Sequence, residues 1–135
     1  MVNRRSMLGL IGAAVVTVAA PAHAQRAGRT VRIVGRIRMS GRGPVPAGIL
    51  SIRLEEQGVM DKAARRIAST TVRSSGRARA VLFELSADRR QLERTHMPGF
   101  SVRLERRGRL IALNTTSQPY TGDRNVALEI EPILY

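Results

Sequence analysis

His96 is the only histidine behind residue 24, and a lone histidine can serve as a base. To do so it needs a nucleophile to deprotonate and a carboxylate to orient its ring. Nothing beside it supplies them, because it sits next to Met97-Pro98-Gly99 in a stretch that reads as a loop or crossover. One histidine makes no zinc site without further ligands at suitable spacing. The acidic residues stand mainly singly, as at Glu93, Glu105, Glu129 and Glu131, or side by side at Glu55-Glu56. No pair has the local spacing of a general acid and base. The chain holds no cysteine, which removes disulfides, thiolate metal sites, redox motifs and thiol nucleophiles. Gly41-x-Gly43 lacks the following helix that a phosphate loop needs, and the Asn114-Thr115-Thr116 sequon is a three-letter match of the kind that arises by chance. These residues point to no enzyme, no metal and no cofactor.

Arginine is the chemistry that remains. Of 23 basic residues 22 are arginine, Lys62 being the exception, and against 10 acidic residues they leave a net charge of +13. The planar guanidinium suits phosphate and sulfate groups. Arg32, Arg36 and Arg38 fall on one face of an alternating stretch, and Arg53 and Arg103 point outward from theirs, so these five are the candidate anion-binding residues. If their strands shared a sheet they would form a cationic wall able to hold lipopolysaccharide, an acidic glycan or exported nucleic acid by charge. The plainer explanation is a GC-rich genome that writes arginine for lysine on a solvated surface. With only Phe83, Phe100, Tyr120 and Tyr135 as aromatics, the chain has no platform for stacking bases, so specific nucleic-acid binding is not expected.

The elements that must carry these side chains are strands. Thr30–Met39 places Val31, Ile33, Ile37 and Met39 on one face and its arginines on the other, the period of a half-buried strand. Residues 40–48 form a Gly- and Pro-rich loop. Residues 49–56 alternate again, with Leu50, Ile52 and Leu54 inward, and residues 65–73 follow with Ile67, Thr70, Thr71 and Val72. Ser74-Ser75-Gly76 is a turn. Val81, Phe83 and Leu85 form the next inner face, and Phe100, Val102 and Leu104 the one after. Arg106-Arg107-Gly108-Arg109 reads as a tight hairpin into residues 110–115, and Thr121-Gly122-Asp123 turns the chain into Val126, Leu128 and Ile130. Between residues 86 and 96 the spacing of Asp88, Leu92 and His96 changes to four, a short helical crossover that Ser86 would cap. The expectation is all-β: a single compact β-sandwich of about seven strands with one short helical crossover.

Residues 1–24 are expected to be a signal peptide. Arg4 and Arg5 precede an apolar run over residues 7–20, and Ala22-His23-Ala24 offers a cleavage site after Ala24. Residues 25–135 are then the β-sandwich domain, placed in the periplasm or secreted. Asn3-Arg4-Arg5-Ser6-Met7-Leu8 partly matches a twin-arginine signal, so export runs by the Sec route or by that one. No transmembrane segment is expected after cleavage. A domain of about 110 residues buries roughly two-thirds of its unfolded surface, enough to fold without a staple.

The order of the Thr30–Met39 strand, Pro44-Val45-Pro46-Ala47-Gly48 and the strand of Leu50, Ile52 and Leu54 resembles the YbaY/YscW-type family of bacterial envelope proteins. Phe83-Glu84-Leu85 is similar to that family's F-E-L strand, Asp88 with Leu92 to its short crossover, and residues 100–110 to its closing hairpin. The family is described as type III secretion lipoprotein chaperones. The lipobox cysteine common in it is missing here, and Phe100 stands where it has a tyrosine. The resemblance implies a chaperone-like accessory that binds a protein client of the cell envelope without catalysis, by pairing a client strand at a sheet edge. The alternative from the residues alone is a polyanion-binding module on the arginine-rich strand face.

Overall fold

Period-two alternation becomes strand wherever the sequence shows it. The computed structural model describes residues 29–57, 65–116 and 118–134, so the expected signal peptide and Lys62 lie outside the described residues. The strands are β1 (Thr30–Met39), β2 (Gly48–Glu56), β3 (Arg66–Ser74), β4 (Val81–Asp88), β5 (Pro98–Arg106), β6 (Arg109–Leu113), β7 (Gln118–Pro119) and β8 (Asn125–Pro132). A short six-residue helix, α1 (Arg89–Arg94), separates β4 from β5. The two-residue β7 carries no alternation and was not foreseeable. Among the described residues no helix is long and apolar enough to cross a membrane.

Hydrogen bonding runs in the order β3-β2-β5-β6-β8-β1-β4, with β7 against β5. β1 lies parallel to β8 and antiparallel to β4, while β2 is antiparallel to both β3 and β5. The result is two half-sheets, β8-β1-β4 and β3-β2-β5-β6, paired to each other through Ala112↔Pro132 and Leu113↔Glu131. The all-β fold is thus one sheet folded over on itself, closed along the β6–β8 side and nearly closed like a barrel on the other. There β3 and β4 lie side by side, each with an unpaired edge.

Ile33 and Ile37 from one half-sheet meet Leu50, Ile52, Leu54, Val102 and Leu104 from the other, and all seven are fully buried. Phe100 is fully buried as well, and its ring stands edge-on to Phe83 at 6.4 Å and to Tyr120 at 5.9 Å. This short aromatic chain crosses from β4 to β5 and out to the rim. There burial, helped by the Asp123 carboxylate, raises the Tyr120 phenol above its ordinary pKa of 10.0 against the opposing pull of Arg124. Val45 shows that the Pro-rich loop is more than a connection. Its side chain is fully buried, its N–H donates to the Ala78 carbonyl (2.9 Å) and its carbonyl accepts from Ser74 Oγ (3.1 Å).

Two local devices end strands. Asp88, not Ser86, caps the helix, its Oδ1 accepting from Arg90 N–H at 2.9 Å. Ser86 stays within β4 opposite Arg32. Beyond β6, Asn114 prolongs the pairing with β5 through its side chain: Oδ1 accepts from Val102 N–H and Nδ2 donates to the Phe100 carbonyl, both at 2.8 Å. The residue first met as a sequon is therefore a strand mimic. Asn114→Asp keeps the acceptor and loses the donor, setting a carboxylate oxygen against the Phe100 carbonyl. We expect it to destabilise the fold by about 1–3 kcal/mol in urea denaturation, the range for a stranded polar group. Asn114→Asp denaturing at the parental urea concentration would contradict that role.

Candidate functional site

The five arginines singled out in the sequence all point outward, and the fold separates them. Arg32, Arg36 and Arg38 lie on the exterior of the β8-β1-β4 half-sheet, Arg53 and Arg103 on the exterior of the other. No common wall forms, because β1 and β2 are not neighbours. Within the first group the charge is partly answered. Arg32 Nε lies 2.6 Å from Glu84 Oε1 in an exposed ion pair, and Arg38 stands opposite Glu129. Such pairs add little to stability, but they lower the local field. In the second group Arg103 Nε is 3.9 Å from Glu105, while Arg53 stands between Ser69 and Ser101. His96 is exposed in the α1–β5 link. Among the described residues no three histidine or acidic side chains are grouped to hold a metal.

The feature that sequence alone missed is the side where the barrel stays open. A groove of about 860 Å³ is lined by the middle of β1, the first half of β4, the start of β8 and Thr70 and Val72 of β3, with Arg36 and Glu84 among its residues, so it opens between the two unpaired edges. Its local shape follows from Gly35, Phe83 and Leu82. Gly35 has no Cβ, which lets the Phe83 ring lie across β1; a Cβ there would sit 2.6 Å from that ring and 2.7 Å from the Val126 carbonyl oxygen. Leu82, next along β4, is 73% exposed, a large apolar side chain at a free strand edge.

An unguarded edge is a template for another strand, and proteins that must avoid pairing place lysine, proline or a bulge there. Neither Thr70-Thr71-Val72 nor Leu82-Phe83 carries a charge or a proline, and the one register irregularity between β2 and β3 falls at Leu54/Glu55, away from this stretch. Unpaired N–H and C=O groups on both sides, with a groove of mixed apolar and charged lining beside them, suit an extended peptide. Which strands become edges is decided by pairing order, and alternation does not encode that.

The profile of a family described as "Type III secretion system lipoprotein chaperone (YscW)" matches residues 28–130. Among solved structures, an alternative pilotin from the type II secretion system of Vibrio cholerae superposes with a TM-score of 0.69 at 20% sequence identity. The match covers 79% of this chain and 100% of that one. At that identity the likeness is one of fold. No curated protein sequence matches the chain significantly.

Proposed function

Because the chain belongs to the YscW family of type III secretion lipoprotein chaperones, we propose that it is an exported, non-catalytic accessory that binds a protein client of the cell envelope. The observation that carries this reading is the seam. Among the described residues two unpaired strand edges, β3 and β4, flank a groove of about 860 Å³ in which Leu82, Phe83, Val72 and Val126 stand beside Arg36 and Glu84. A client segment that enters as a strand would satisfy the free backbone groups and cover Leu82, which supplies affinity through the main chain and selectivity through the groove. Resemblance of fold to a pilotin is in keeping with such a role, though folds alone do not assign one.

The test uses the alternation of backbone N–H groups, which point to opposite edges at successive residues. Of Thr70→Pro and Thr71→Pro, one therefore cuts the β2–β3 ladder and the other blocks only the free edge. Thermal melting identifies the second, as the variant that keeps the parental midpoint. That variant should lose the client in a crosslinked pull-down from periplasm washed at high salt, where exposed charge pairs are screened and strand pairing persists. Undiminished capture of the same protein by that variant would remove edge pairing as the mechanism. A polyanion module on the arginine row has less behind it, since Glu84 and Glu129 interrupt the row.

A further inference from the structure

At the end of the barrel remote from α1, three turns that are far apart in sequence are tied into one surface. Residues 40–47 lead from β1 to β2, residues 75–80 from β3 to β4, and residues 107–108 close the β5–β6 hairpin. The buried Val45 binds the first to the second through the Ala78 carbonyl, and Arg106 Nε donates to the Ala47 carbonyl at 3.1 Å to bind the third. Arg42, Arg77, Arg79, Arg106, Arg107 and Arg109 all stand exposed on this cap. Within residues 40–50, 74–81 and 106–110 there is no aspartate or glutamate, and Glu105, opposite Ile49 and Leu110, is an acidic residue at the border of the cap. The opposite end, around α1, mixes its arginines with Glu55, Glu56, Asp88, Glu93 and Asp123.

The cap also has an apolar shoulder. A hollow of about 390 Å³ is lined by Arg106, Arg107 and Arg109 together with Ile111 and Ile133. Ile133 is held there by its N–H on the Ile111 carbonyl (3.0 Å), and the next residue, Leu134, is 91% exposed. Guanidinium groups beside bare aliphatic side chains match the layer of a bilayer where headgroup phosphates meet acyl chains.

We propose that this cap docks the protein end-on to the phosphate headgroups of an anionic membrane. An acidic protein face would also match a basic cap, but the aliphatic side chains of Ile111, Ile133 and Leu134 beside the guanidinium groups favour a bilayer, where phosphates lie over acyl chains. Three linked turns that carry arginine and no acid, with Glu105 at their border, suit an extended anionic plane. Such docking leaves the β3–β4 seam on the side of the barrel, open to a client. The docking is independent of the client reading, and the failure of either leaves the other standing.

The experiment is co-sedimentation of the full chain with vesicles of mixed phosphatidylethanolamine and phosphatidylglycerol, against vesicles of pure phosphatidylcholine. Binding to the anionic vesicles alone is expected, weakening as salt is raised. The triple variant Arg77→Glu, Arg79→Glu, Arg107→Glu should lower the partition coefficient by at least about a hundredfold at low salt. The triple Arg66→Glu, Arg90→Glu, Arg94→Glu makes the same charge change at the other end and should retain most of the binding. Equal losses in both triples would reduce the effect to net charge and overturn the cap. Absence of binding to the anionic vesicles, with retention on a polyglutamate column that the cap triple abolishes, would transfer the surface to an acidic protein partner.

Discussion

Phe100→Ala should cost about 3–5 kcal/mol of folding stability, the range for removing a fully buried aromatic ring. The physical reason is where the ring sits. Phe100 belongs to β5, Phe83 to β4, and these strands lie in opposite half-sheets whose strand-to-strand pairing runs through the short β6–β8 junction. The edge-on contact at 6.4 Å is thus one of the apolar bridges holding the halves face to face, and the contact with Tyr120 at 5.9 Å seals the rim beyond it. A domain of this size has about 5–15 kcal/mol in total, so the variant should be marginal at room temperature. Urea denaturation followed by far-UV circular dichroism measures the loss. Phe100→Leu, which keeps most of the volume, should cost much less. If alanine and leucine proved equally mild, the ring would not be a bridge between the halves.

The register of this bridge was legible in the sequence, and the openness beside it was not. Alternation correctly turned Ile33, Ile37, Leu50, Ile52, Leu54, Val102 and Leu104 inward and Arg32, Arg36, Arg38, Arg53 and Arg103 outward. It also placed the β5–β6 hairpin, where Arg107 (φ 52°) and Gly108 (φ 79°) both take positive φ, as a two-residue turn between twisted strands requires. Alternation is local, however, and says nothing about which strand lies next to which. The five arginines were therefore readable as outward but not as divided between two faces. The seam exists because β3 and β4 end the pairing order, and the cap exists because three separate turns converge, so both depend on topology. Val45 and Asn114 were hidden for a different reason: a Pro-flanked valine and a sequon asparagine look like loop residues until their partners, Ala78 and Ser74 for one, Val102 and Phe100 for the other, are seen.

Gly35 turns the same lesson into a measurement. In a strand interior, glycine is ordinarily worse than alanine by about 0.5–1 kcal/mol, so propensity predicts that Gly35→Ala stabilises the protein. The structure predicts the opposite sign. The added Cβ would lie 2.6 Å from the Phe83 ring on one side and 2.7 Å from the Val126 carbonyl oxygen on the other. Gly35 pairs with Phe83 on β4 and with Val126 on β8, so an added Cβ would meet both neighbouring strands. Moving the ring disturbs its edge-on contact with Phe100, and moving the carbonyl loosens the parallel β1–β8 pairing. Gly35→Ala should therefore destabilise by about 1–3 kcal/mol, with Gly35→Val losing more because its branch enlarges both clashes. A double-mutant cycle with Phe83→Leu divides the cost: the ring's share is recovered in the pair and the carbonyl's share stays. Because Gly35 and Phe83 line the groove, Gly35→Ala should also weaken client capture at temperatures where the fold is intact. A stabilised Gly35→Ala protein would mean that backbone entropy outweighs the close approach, and the groove would lose its main geometric constraint.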